Sequence, residues 1–507
     1  MKKHFESGLF LRPIIISLLL AAQLLLLVVA TLRFTEYFPE FYFACMVLSI
    51  IVVLLVINGR DNPGYKLALV IPIMLFPVFG GLFYLLFSRG RMRKIFYKSR
   101  IRLLAEEEQA LSQAINADTT SEHGSASLQF TYIRNNSGYP AFRNTSATYY
   151  ELGEILFEQM KNELRKAQRY IFLEYFIIDQ GKMWNEILEI LLEKVAQGVD
   201  VRIIYDGIGC VKTLPYKYYQ KLRDLGIRCE VFNPFIPVAT IWHNIRNHRK
   251  IMVIDGHTAF TGGINLADEY INVVERYGHW KDAGIMIKGS AAWSFTTMFL
   301  SMWCVLSNTT EDYEDYLSTE EPDQGEGLVQ PFSDIPSDNI QLGRDAYLNM
   351  ISRAQKYIYI MSPYFIVDNE TLTALCLAAK SGVDVRLIAP HIGDSWYVHL
   401  MTRSYYEDLI ANGVAVYEYT PGFIHAKNMV CDDELAICGS INFDYRSFYL
   451  QMECAVLLYH CQSVIDMKRD FENTQQKCLQ IMADDCYHDP WYNRFLRMLL
   501  KIFAPLM

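Results

Sequence analysis

The chain has 507 residues, which is enough for two or three domains, each with a core of its own. It carries 56 acidic and 47 basic side chains, a formal net charge of −9, and this balance disfavours nucleic acid as the main partner. Its eleven cysteines form no close C-x-x-C pairs, so their spacing indicates neither a zinc cluster nor a disulfide framework. Free thiols are typical of a reducing compartment.

Three apolar runs near the start of the chain predict a membrane region over residues 1–103. They cover about residues 14–32, 41–58 and 67–87, and each is close to the ~20 residues that a helix needs to cross a bilayer. Buried core helices are the alternative for all three runs, and a signal peptide is a further alternative for the first. Three runs so close together favour insertion into a membrane.

Basic residues flank the apolar runs on both sides. The cluster from Arg89 to Arg102 favours a cytoplasmic position for everything that follows it, by the positive-inside rule. Lys2, Lys3 and Arg12 favour the same side, whereas three full crossings would put the two ends on opposite faces. The number of crossings is therefore left open.

Polar segments divide the remainder of the chain. Residues 104–129 are interpreted as a stalk and linker, and the acidic residues 308–327 as a solvated connector. Residues 130–307 and 328–507 are then the two predicted domains. The second ends in an amphipathic helix near residues 491–503, which is predicted either to lie in a membrane interface or to pack on its own domain.

The two predicted domains repeat each other. Ala167-Gln-Arg-Tyr-Ile is matched by Ala354-Gln-Lys-Tyr-Ile, and Gly198-Val-Asp-Val-Arg recurs as Gly382-Val-Asp-Val-Arg. Each unit has the pattern of a helix, a buried strand, a second helix and another buried strand, which predicts an α/β sandwich with a mainly parallel sheet. Two copies indicate a pseudo-dimer with a site on its internal two-fold axis.

Each half also carries one H-x-K-x-x-x-x-D motif, and an asparagine follows each histidine by seventeen residues. Their chemistry-bearing residues are His248, Lys250, Asp255 and Asn265 in the first half, and His425, Lys427, Asp432 and Asn442 in the second. All four positions repeat at an offset of 177 residues. Residues i and i+2 of a strand share a face, so each histidine and its lysine are expected to project to the same side.

This set of side chains suits phosphodiester chemistry. One neutral imidazole can attack phosphorus while the other, protonated, donates to the departing alkoxide, so a single active site needs both halves. The two lysines and the two asparagines would surround the phosphoryl oxygens and stabilise their charge. We therefore expect neither a metal ion nor another cofactor.

The paired motifs resemble the HKD motifs of the phospholipase D superfamily, and the resemblance covers roughly residues 130–485. It implies two phospholipase D-like α/β/α sandwich halves that form a pseudo-dimer, preceded by N-terminal transmembrane helices. It further implies that His248 is the nucleophile, that His425 is the general acid, and that the downstream carboxylates Asp282 and Glu453 orient the histidines. Asp255 and Asp432 belong to the catalytic signature, although the far end of a strand also suits a role in folding through ion pairs.

Other segments, among them Asn62-Pro-Gly-Tyr-Lys and Asn442-Phe-Asp-Tyr-Arg, are similar to bacterial cardiolipin synthases. This resemblance implies a multi-pass protein of the bacterial plasma membrane with cytoplasmic catalytic domains. Its partners would be phosphatidylglycerol and membrane lipid, with phosphatidyl transfer between two phosphatidylglycerol molecules through a phosphohistidine. A phospholipase D-type hydrolase and a phosphatidylserine synthase-like transferase are the enzymatic alternatives, and an inactive membrane scaffold is the alternative of another class. The oligomeric state is left open.

Overall fold

The computed structural model describes residues 25, 28, 38–59, 62–78, 84, 107–112, 117–118, 126–234, 244–321, 323, 325–336, 340–487 and 491–506. The apolar run predicted at 14–32 lies outside the described residues, apart from positions 25 and 28, and so does the basic cluster at 89–102. The chain consists of two compact units, Met1–Phe87 and Ser88–Met507.

The first unit contains two apolar helices, α1 (Phe38–Ile57) and α2 (Pro63–Leu75). In the described part of the chain, only α1 is long and apolar enough to cross a membrane, and it corresponds to the run predicted at 41–58. Helix α2 covers the first part of the run predicted at 67–87. It ends early because Phe76 precedes Pro77, and a residue before proline avoids the helical conformation.

The first half of the second unit alternates strands with helices. Its strands are β1 (Ala117–Asp118), β2 (Ala141–Phe142), β3 (Thr145–Tyr150), β4 (Tyr170–Tyr175), β5 (Asp200–Asp206), β6 (Arg228–Phe232), β7 (Arg246–Asn247), β8 (Ile251–Ile254), β9 (Thr258–Gly262), β10 (His279–Lys281) and β11 (Gly284–Gly289). Its helices are α3 (Ser127–Ser137), α4 (Gly153–Leu164), α5 (Lys182–Ala196), α6 (Tyr218–Asp224) and α7 (Ala292–Ser307), with 3-10 turns at Asp268–Ile271 and Tyr313–Tyr316.

The second half follows the same plan with additional elements at its end. Its strands are β12 (Leu328–Asp334), β13 (Tyr357–Met361), β14 (Phe365–Ile366), β15 (Asp384–Pro390), β16 (Ala415–Tyr419), β17 (Gly422–Ile424), β18 (Asn428–Cys431), β19 (Leu435–Gly439), β20 (Phe443–Asp444), β21 (Gln451–Tyr459) and β22 (Cys478–Ile481). Its helices are α8 (Leu342–Arg353), α9 (Asn369–Lys380), α10 (Trp396–Arg403), α11 (Tyr406–Ala411), α12 (Tyr445–Tyr449), α13 (Gln462–Gln475), α14 (Ala483–Tyr487) and α15 (Trp491–Phe503), and a 3-10 turn follows at Ala504–Leu506.

The two main sheets repeat each other strand for strand. The first has the order β3-β11-β9-β8-β4-β5-β6, and the second contains the same order as β12-β21-β19-β18-β13-β15-β16. In both, the first four pairings are antiparallel and the last two are parallel. The structure thus confirms two mixed α/β halves built as a repeat, whereas the prediction of a mainly parallel sheet is wrong.

The connections explain this mixture of directions. Strands β4 and β5 are joined through helix α5, and a crossover of that length is what parallel pairing requires. Strands β8 and β9 are instead joined by a tight turn at Asp255 and Gly256, which have φ angles of 52° and 71°. Positive φ at two successive residues is typical of tight hairpin turns, so the chain reverses and the strands pair antiparallel.

Helix α7 lies inside the second unit. Its aromatic side chains Trp293, Phe295, Phe299 and Trp303 are all buried, and the Phe299 ring stacks on Phe172 of β4 with their centroids 4.5 Å apart. They belong to the hydrophobic core, which explains why this apolar helix is stable without a membrane.

A buried ion pair of the first half lies beside a hydrogen bond to the second half. The NH2 atom of Arg249 lies 2.6 Å from Oε1 of Glu174, and its Nε donates to the same oxygen at 2.8 Å. NH1 of Arg249 donates to Oγ of Ser333 in β12 at 3.4 Å. The equivalent position of the second half is Ala426, which is also buried, so the repeat diverges at this position.

Replacement of Arg249 by alanine is expected to lower the free energy of unfolding by about 3–5 kcal/mol, because the buried Glu174 carboxylate loses its partner. The double variant Glu174→Leu with Arg249→Leu is expected to regain most of that loss, since two apolar side chains leave no uncompensated charge. Denaturant unfolding of the whole chain in detergent measures the free energy of unfolding of both variants. Equal destabilisation of the single and double variants would show that the ion pair is not the cause.

Candidate active site

Each motif histidine follows a short strand that pairs with the other half. Strand β7 runs parallel to the start of β21, and the backbone N–H of His248 donates to the Met452 carbonyl at 2.9 Å. Strand β17 runs parallel to β10, and the backbone N–H of His425 donates to the Lys281 carbonyl at 2.7 Å. The two halves therefore present their histidines through the same local pairing, as expected for a pseudo-two-fold arrangement.

This pairing exchanges the orienting carboxylates between the halves. Nδ1 of His248 lies 3.0 Å from both carboxylate oxygens of Glu453, and Nδ1 of His425 lies 2.6 Å from Oδ2 of Asp282. A carboxylate at Nδ1 favours the tautomer with its proton there, which leaves a lone pair on Nε2. Each half thus supplies one histidine and the carboxylate that orients the histidine of the other half.

The two motif lysines lie beside the histidines. Nζ of Lys250 donates to the His248 carbonyl at 2.6 Å, and Nζ of Lys427 donates to the His425 carbonyl at 2.5 Å. Nζ of Lys427 also lies 2.9 Å from Nδ1 of His425. Both lysine side chains are almost completely buried. Each lysine is near enough to affect the pKa of both histidines, so the two motifs form one site.

Burial controls the protonation of this site. It lowers the pKa of His425 to about 3 and that of His248 well below its ordinary value, and the positive charges of Lys250 and Lys427 add to both effects. Burial also lowers the pKa of Lys250 to about 7 and of Lys427 to about 8, although nearby carboxylates oppose it. Without substrate, the site therefore holds neutral imidazoles beside lysines whose positive charge is unfavourable. A bound anion would stabilise the charged forms of both the histidines and the lysines.

The two carboxylates are held by different groups. Glu453 accepts hydrogen bonds from Oγ of Ser440 at 2.5 Å and from Oγ of Ser447 at 2.7 Å, yet burial raises its pKa to about 7. Asp282 accepts from the backbone N–H of Ala283 at 2.8 Å. Gly263 stands at the position equivalent to Ser440, and a Cβ atom there would lie 2.1 Å from Asp282. Only glycine fits so close to that carboxylate.

The two asparagines have different surroundings. Asn265 is engaged at both ends of its amide, since Oδ1 accepts from the Ile177 N–H at 3.1 Å and Nδ2 donates to the Tyr270 hydroxyl at 2.6 Å. Asn442 is also buried, but no described group donates to its Oδ1. Rotation of this amide would present Nδ2 at the same place, so Asn442 has a free polar atom for a bound group.

The aspartates that end the motifs lie at the far end of the strands. Asp255 accepts from the backbone N–H groups of residues 168, 169 and 170 at 2.7–2.8 Å, and Asp432 accepts from those of residues 355, 356 and 357 at 2.7–2.9 Å. Seven residues of extended chain, roughly 23 Å, separate each aspartate from its histidine. Both therefore fix the start of a neighbouring strand by backbone hydrogen bonds, rather than by the ion pairs considered as the alternative to a catalytic role.

Several aromatic neighbours of the histidines were not predicted from the sequence. The Tyr270, Trp280 and Phe423 rings lie 5.3–5.8 Å from the His425 ring, and the Phe176 ring lies 5.0 Å from His248. Aromatic residues are common in any core, so their sequence pattern alone does not identify them as neighbours of the histidines.

In the described part of the chain, no cluster of three or more histidine, cysteine or acidic side chains could hold a metal ion.

A third acidic group, Asp394, lies near Lys427. Asp394 follows β15 and accepts a hydrogen bond from the Tyr364 hydroxyl at 2.6 Å. Burial raises the pKa of Asp394, and its charge acts on Lys427. The sequence offers no signal for it, because Asp394 belongs to neither motif.

Comparison with known protein families matches both halves and part of the N-terminal apolar region. The family described as "Cardiolipin synthase, PLD-like domain" matches residues 160–303 and 347–475, and "Phospholipase_D-nuclease N-terminal" matches residues 47–89. An uncharacterized protein of Streptococcus mutans is 39% identical over 464 residues, which are 90% of this chain and 99% of that protein. A cardiolipin synthase of a Geobacillus species is 34% identical over 474 residues, 92% of this chain and 93% of the relative.

Among solved structures, phosphatidylserine synthase of Haemophilus influenzae is similar with a TM-score of 0.57. It is 14% identical, and the match covers 75% of this chain and 98% of that protein. This likeness shows the shared fold.

His425 is expected to contribute stability that increases with pH between about 3 and about 6.5. Its pKa is about 3 in the folded chain and near 6.5 when unfolded, so in this range the unfolded chain binds more protons at this group. His425→Gln removes this titration, so the change in its stability on going from about pH 4 to about pH 6.5 should be less positive than that of the parent. Unfolding in detergent at about pH 4 and about pH 6.5 measures the difference.

The control is His460→Asn, at an exposed histidine whose positive φ of 52° asparagine also tolerates. It should keep the parental dependence on pH. A parental slope in His425→Gln would contradict the lowered pKa of His425.

Proposed function

The chain belongs to the cardiolipin synthase family with PLD-like domains, and on that premise we propose that it transfers a phosphatidyl group between two phosphatidylglycerol molecules. The products would be cardiolipin and glycerol. The observation that carries the proposal is the pair of buried imidazoles, His248 and His425, each held at Nδ1 by a carboxylate of the other half. Two transfers need two imidazoles whose Nε2 atoms are available in turn.

In the first transfer, Nε2 of His248 attacks the phosphorus atom of a bound phosphatidylglycerol. A P–N bond forms, the P–O bond to the headgroup glycerol breaks, and protonated His425 gives its proton to the leaving alkoxide. Glycerol leaves, and a phosphatidyl group remains on His248. His425 is now neutral, which is the form that the second transfer requires.

In the second transfer, neutral His425 takes the proton of the terminal hydroxyl of a second phosphatidylglycerol. The hydroxyl oxygen attacks phosphorus, the P–N bond breaks, and His248 returns to its starting form. Cardiolipin leaves with both phosphodiesters intact. His425 ends this step protonated, as it was when the first phosphatidylglycerol was bound.

The surroundings of the two histidines support this division of roles. Asp282 raises the pKa of His425 against the effect of burial, which favours His425 as the group that carries the proton. At His248 the main charges are those of the two lysines, and they disfavour its protonation. The pKa of Glu453, near 7, leaves this partner partly neutral at physiological pH, so it stabilises an imidazolium less well. A neutral His248 keeps the lone pair that a nucleophile needs.

The phosphate itself completes the electrostatics of the proposed mechanism. Lys250 and Lys427 would contact its nonbridging oxygens, together with Asn442, whose amide has a free polar atom. Asn265 would act more indirectly, through the Tyr270 hydroxyl to which it donates. The negative charge of the phosphate offsets the repulsion between the lysines and raises the pKa of His425, so that the acid becomes protonated when substrate is bound.

Burial also supports transfer over hydrolysis. Both histidines and both lysines are less than one-tenth exposed, so access of water to Nε2 is restricted. We further propose that the enzyme is a multi-pass protein of the plasma membrane whose catalytic unit faces the cytoplasm. Helix α1 supports membrane anchoring by its length and composition.

The direct test follows lipid products after the purified chain is incubated in detergent with phosphatidylglycerol. We expect cardiolipin and glycerol from the intact chain, and none above background from His248→Ala or His425→Ala. Mass spectrometry identifies the products. Phosphatidic acid in place of cardiolipin would make the enzyme a hydrolase, and unchanged lipid would refute the proposed substrate.

The roles of the histidines are separated by a phosphatidyl ester with p-nitrophenol as leaving group, which departs without a proton donor. We expect Asp282→Asn to release nitrophenol and to accumulate a phosphatidyl group on His248, because His425 is then a poor base for the second transfer. Glu453→Gln should instead slow nitrophenol release, because it misorients the nucleophile; a loss of about 10²- to 10⁴-fold is expected.

Mass spectrometry of the peptides that contain each histidine locates the adduct. Asp466→Asn, a change of a partly exposed carboxylate on α13, is the control and should behave as the parent does. An adduct on His425 in Asp282→Asn would reverse the assignment.

A further inference from the structure

The last helix of the chain presents its apolar side to the solvent. Trp491, Phe495 and Met498 of α15 are 79%, 52% and 58% exposed. Together with Tyr492, Leu499 and Phe503, which are also exposed, they form what we call the C-terminal apolar face. At about 100° per residue, these six positions share one side of the helix. A continuous exposed patch of large apolar side chains marks an interaction surface.

The opposite side of α15 is attached to the catalytic unit. Leu500 packs against the main hydrophobic core, and Nζ of Lys501 lies 3.2 Å from Oδ2 of Asp408 and 4.8 Å from the centre of the Tyr405 ring. Ala504, directly after the helix, is buried. The orientation of the helix is therefore set by its own contacts, and packing on the domain leaves the C-terminal apolar face uncovered.

The charges of α15 indicate what kind of partner would cover that face. The helix contains Arg494, Arg497 and Lys501 and no acidic residue, although the whole chain has a net charge of −9. Trp491 and Tyr492 lie together at its start, and these two residue types favour the boundary between lipid and water. Of the basic residues, Arg494 is exposed at the edge of the apolar face, whereas Lys501 contacts Asp408 on the attached side. An exposed basic side chain beside an apolar face that carries aromatic residues is typical of helices that lie in the surface of an anionic bilayer.

The position of α15 relates this face to the active site. The turn at Ala504–Leu506 contacts α12, and Ser447 of α12 donates to Glu453, the partner of His248. Helix α15 also packs against α10, which begins two residues after Asp394 and exposes Trp396 by 68%. Helix α12 thus links the end of α15 to Glu453, which contacts His248.

We propose that the C-terminal apolar face, with Trp396 beside it, docks on the surface of an anionic lipid bilayer and holds the catalytic unit where lipid headgroups are presented. The identity of the lipid consumed there rests on the proposed function, but the docking does not. In the docked state Phe495 and Met498 lie among the upper acyl chains, and Arg494 at the edge of the face lies at the level of the phosphates.

The first arm of the test locates Met498 relative to lipid. The full chain, with the partly exposed Cys45, Cys376, Cys478 and Cys486 changed to serine, receives Met498→Cys and a polarity-sensitive dye, and is reconstituted into vesicles containing phosphatidylglycerol. Brominated acyl chains are expected to quench this dye. The matched control is Leu128→Cys, another exposed apolar position, on α3, where quenching should be absent.

The second arm measures function. Phe495→Asp with Met498→Asp should raise KM for phosphatidylglycerol in vesicles about tenfold or more, because two apolar side chains no longer enter lipid, and leave kcat unchanged. Activity on short-chain phosphatidylglycerol dissolved as monomers should equal that of the parent. Leu128→Asp should change neither value. Both replaced residues are more than half exposed, so folding should persist, and an unchanged thermal midpoint checks it.

The outcomes separate docking from the proposed function. Quenching at residue 498 together with the rise in KM supports docking. An unquenched dye overturns it, and so does disulfide cross-linking of two chains through residue 498, which would make the face a contact between copies. An unchanged KM in the double variant also overturns it. If the parent makes no cardiolipin from either form of phosphatidylglycerol, the proposed function fails, and the quenching arm alone decides docking.

Discussion

The proposed catalytic site depends on one constraint, the exchange of carboxylates between two repeated halves. His248 belongs to the first half and is oriented by Glu453 of the second, while His425 belongs to the second and is oriented by Asp282 of the first. Short parallel strand pairs bring each histidine beside its partner, through backbone hydrogen bonds to the residue that precedes the carboxylate. Neither half could form a complete site alone, so docking of the halves and assembly of the site are one event.

Burial of this site has an energetic cost, and that cost sets the protonation states of its histidines and lysines. The pKa values of both histidines and both lysines are lowered because their charged forms are poorly solvated. Such a site is unfavourable for isolated cations and favourable for cations that surround a phosphate, so binding of an anionic lipid headgroup would relieve the electrostatic cost. The structure around the site contains buried paired charges of its own, such as Arg249 and Glu174.

Much of the fold could be predicted because it is repeated. The two motifs and the matching segments around Gly198 and Gly382 predicted two α/β halves, and the sheets follow the same strand order in both. The direction of the strands could not be predicted, since a buried apolar strand has the same composition in either direction and the connections decide it, as the tight hairpin at Asp255 and Gly256 does for β8 and β9. Likewise the aromatic residues of α7 suit a lipid groove or a core, and contacts with the rest of the unit place them in the core.

The sequence by itself determined which residues are candidates for the chemistry, because a histidine and a lysine two positions apart, repeated with an asparagine at a fixed distance, specify a residue set independent of the packing around it. Only the tertiary structure decided how they are combined: that each carboxylate serves the opposite histidine, that Asn265 is engaged by Tyr270 while Asn442 has a free polar atom, and that Asp255 binds backbone N–H groups. The physical reason is that these contacts join residues far apart in the chain. The partners of these residues are set by how sheets and helices pack against each other, and local sequence patterns do not specify that geometry.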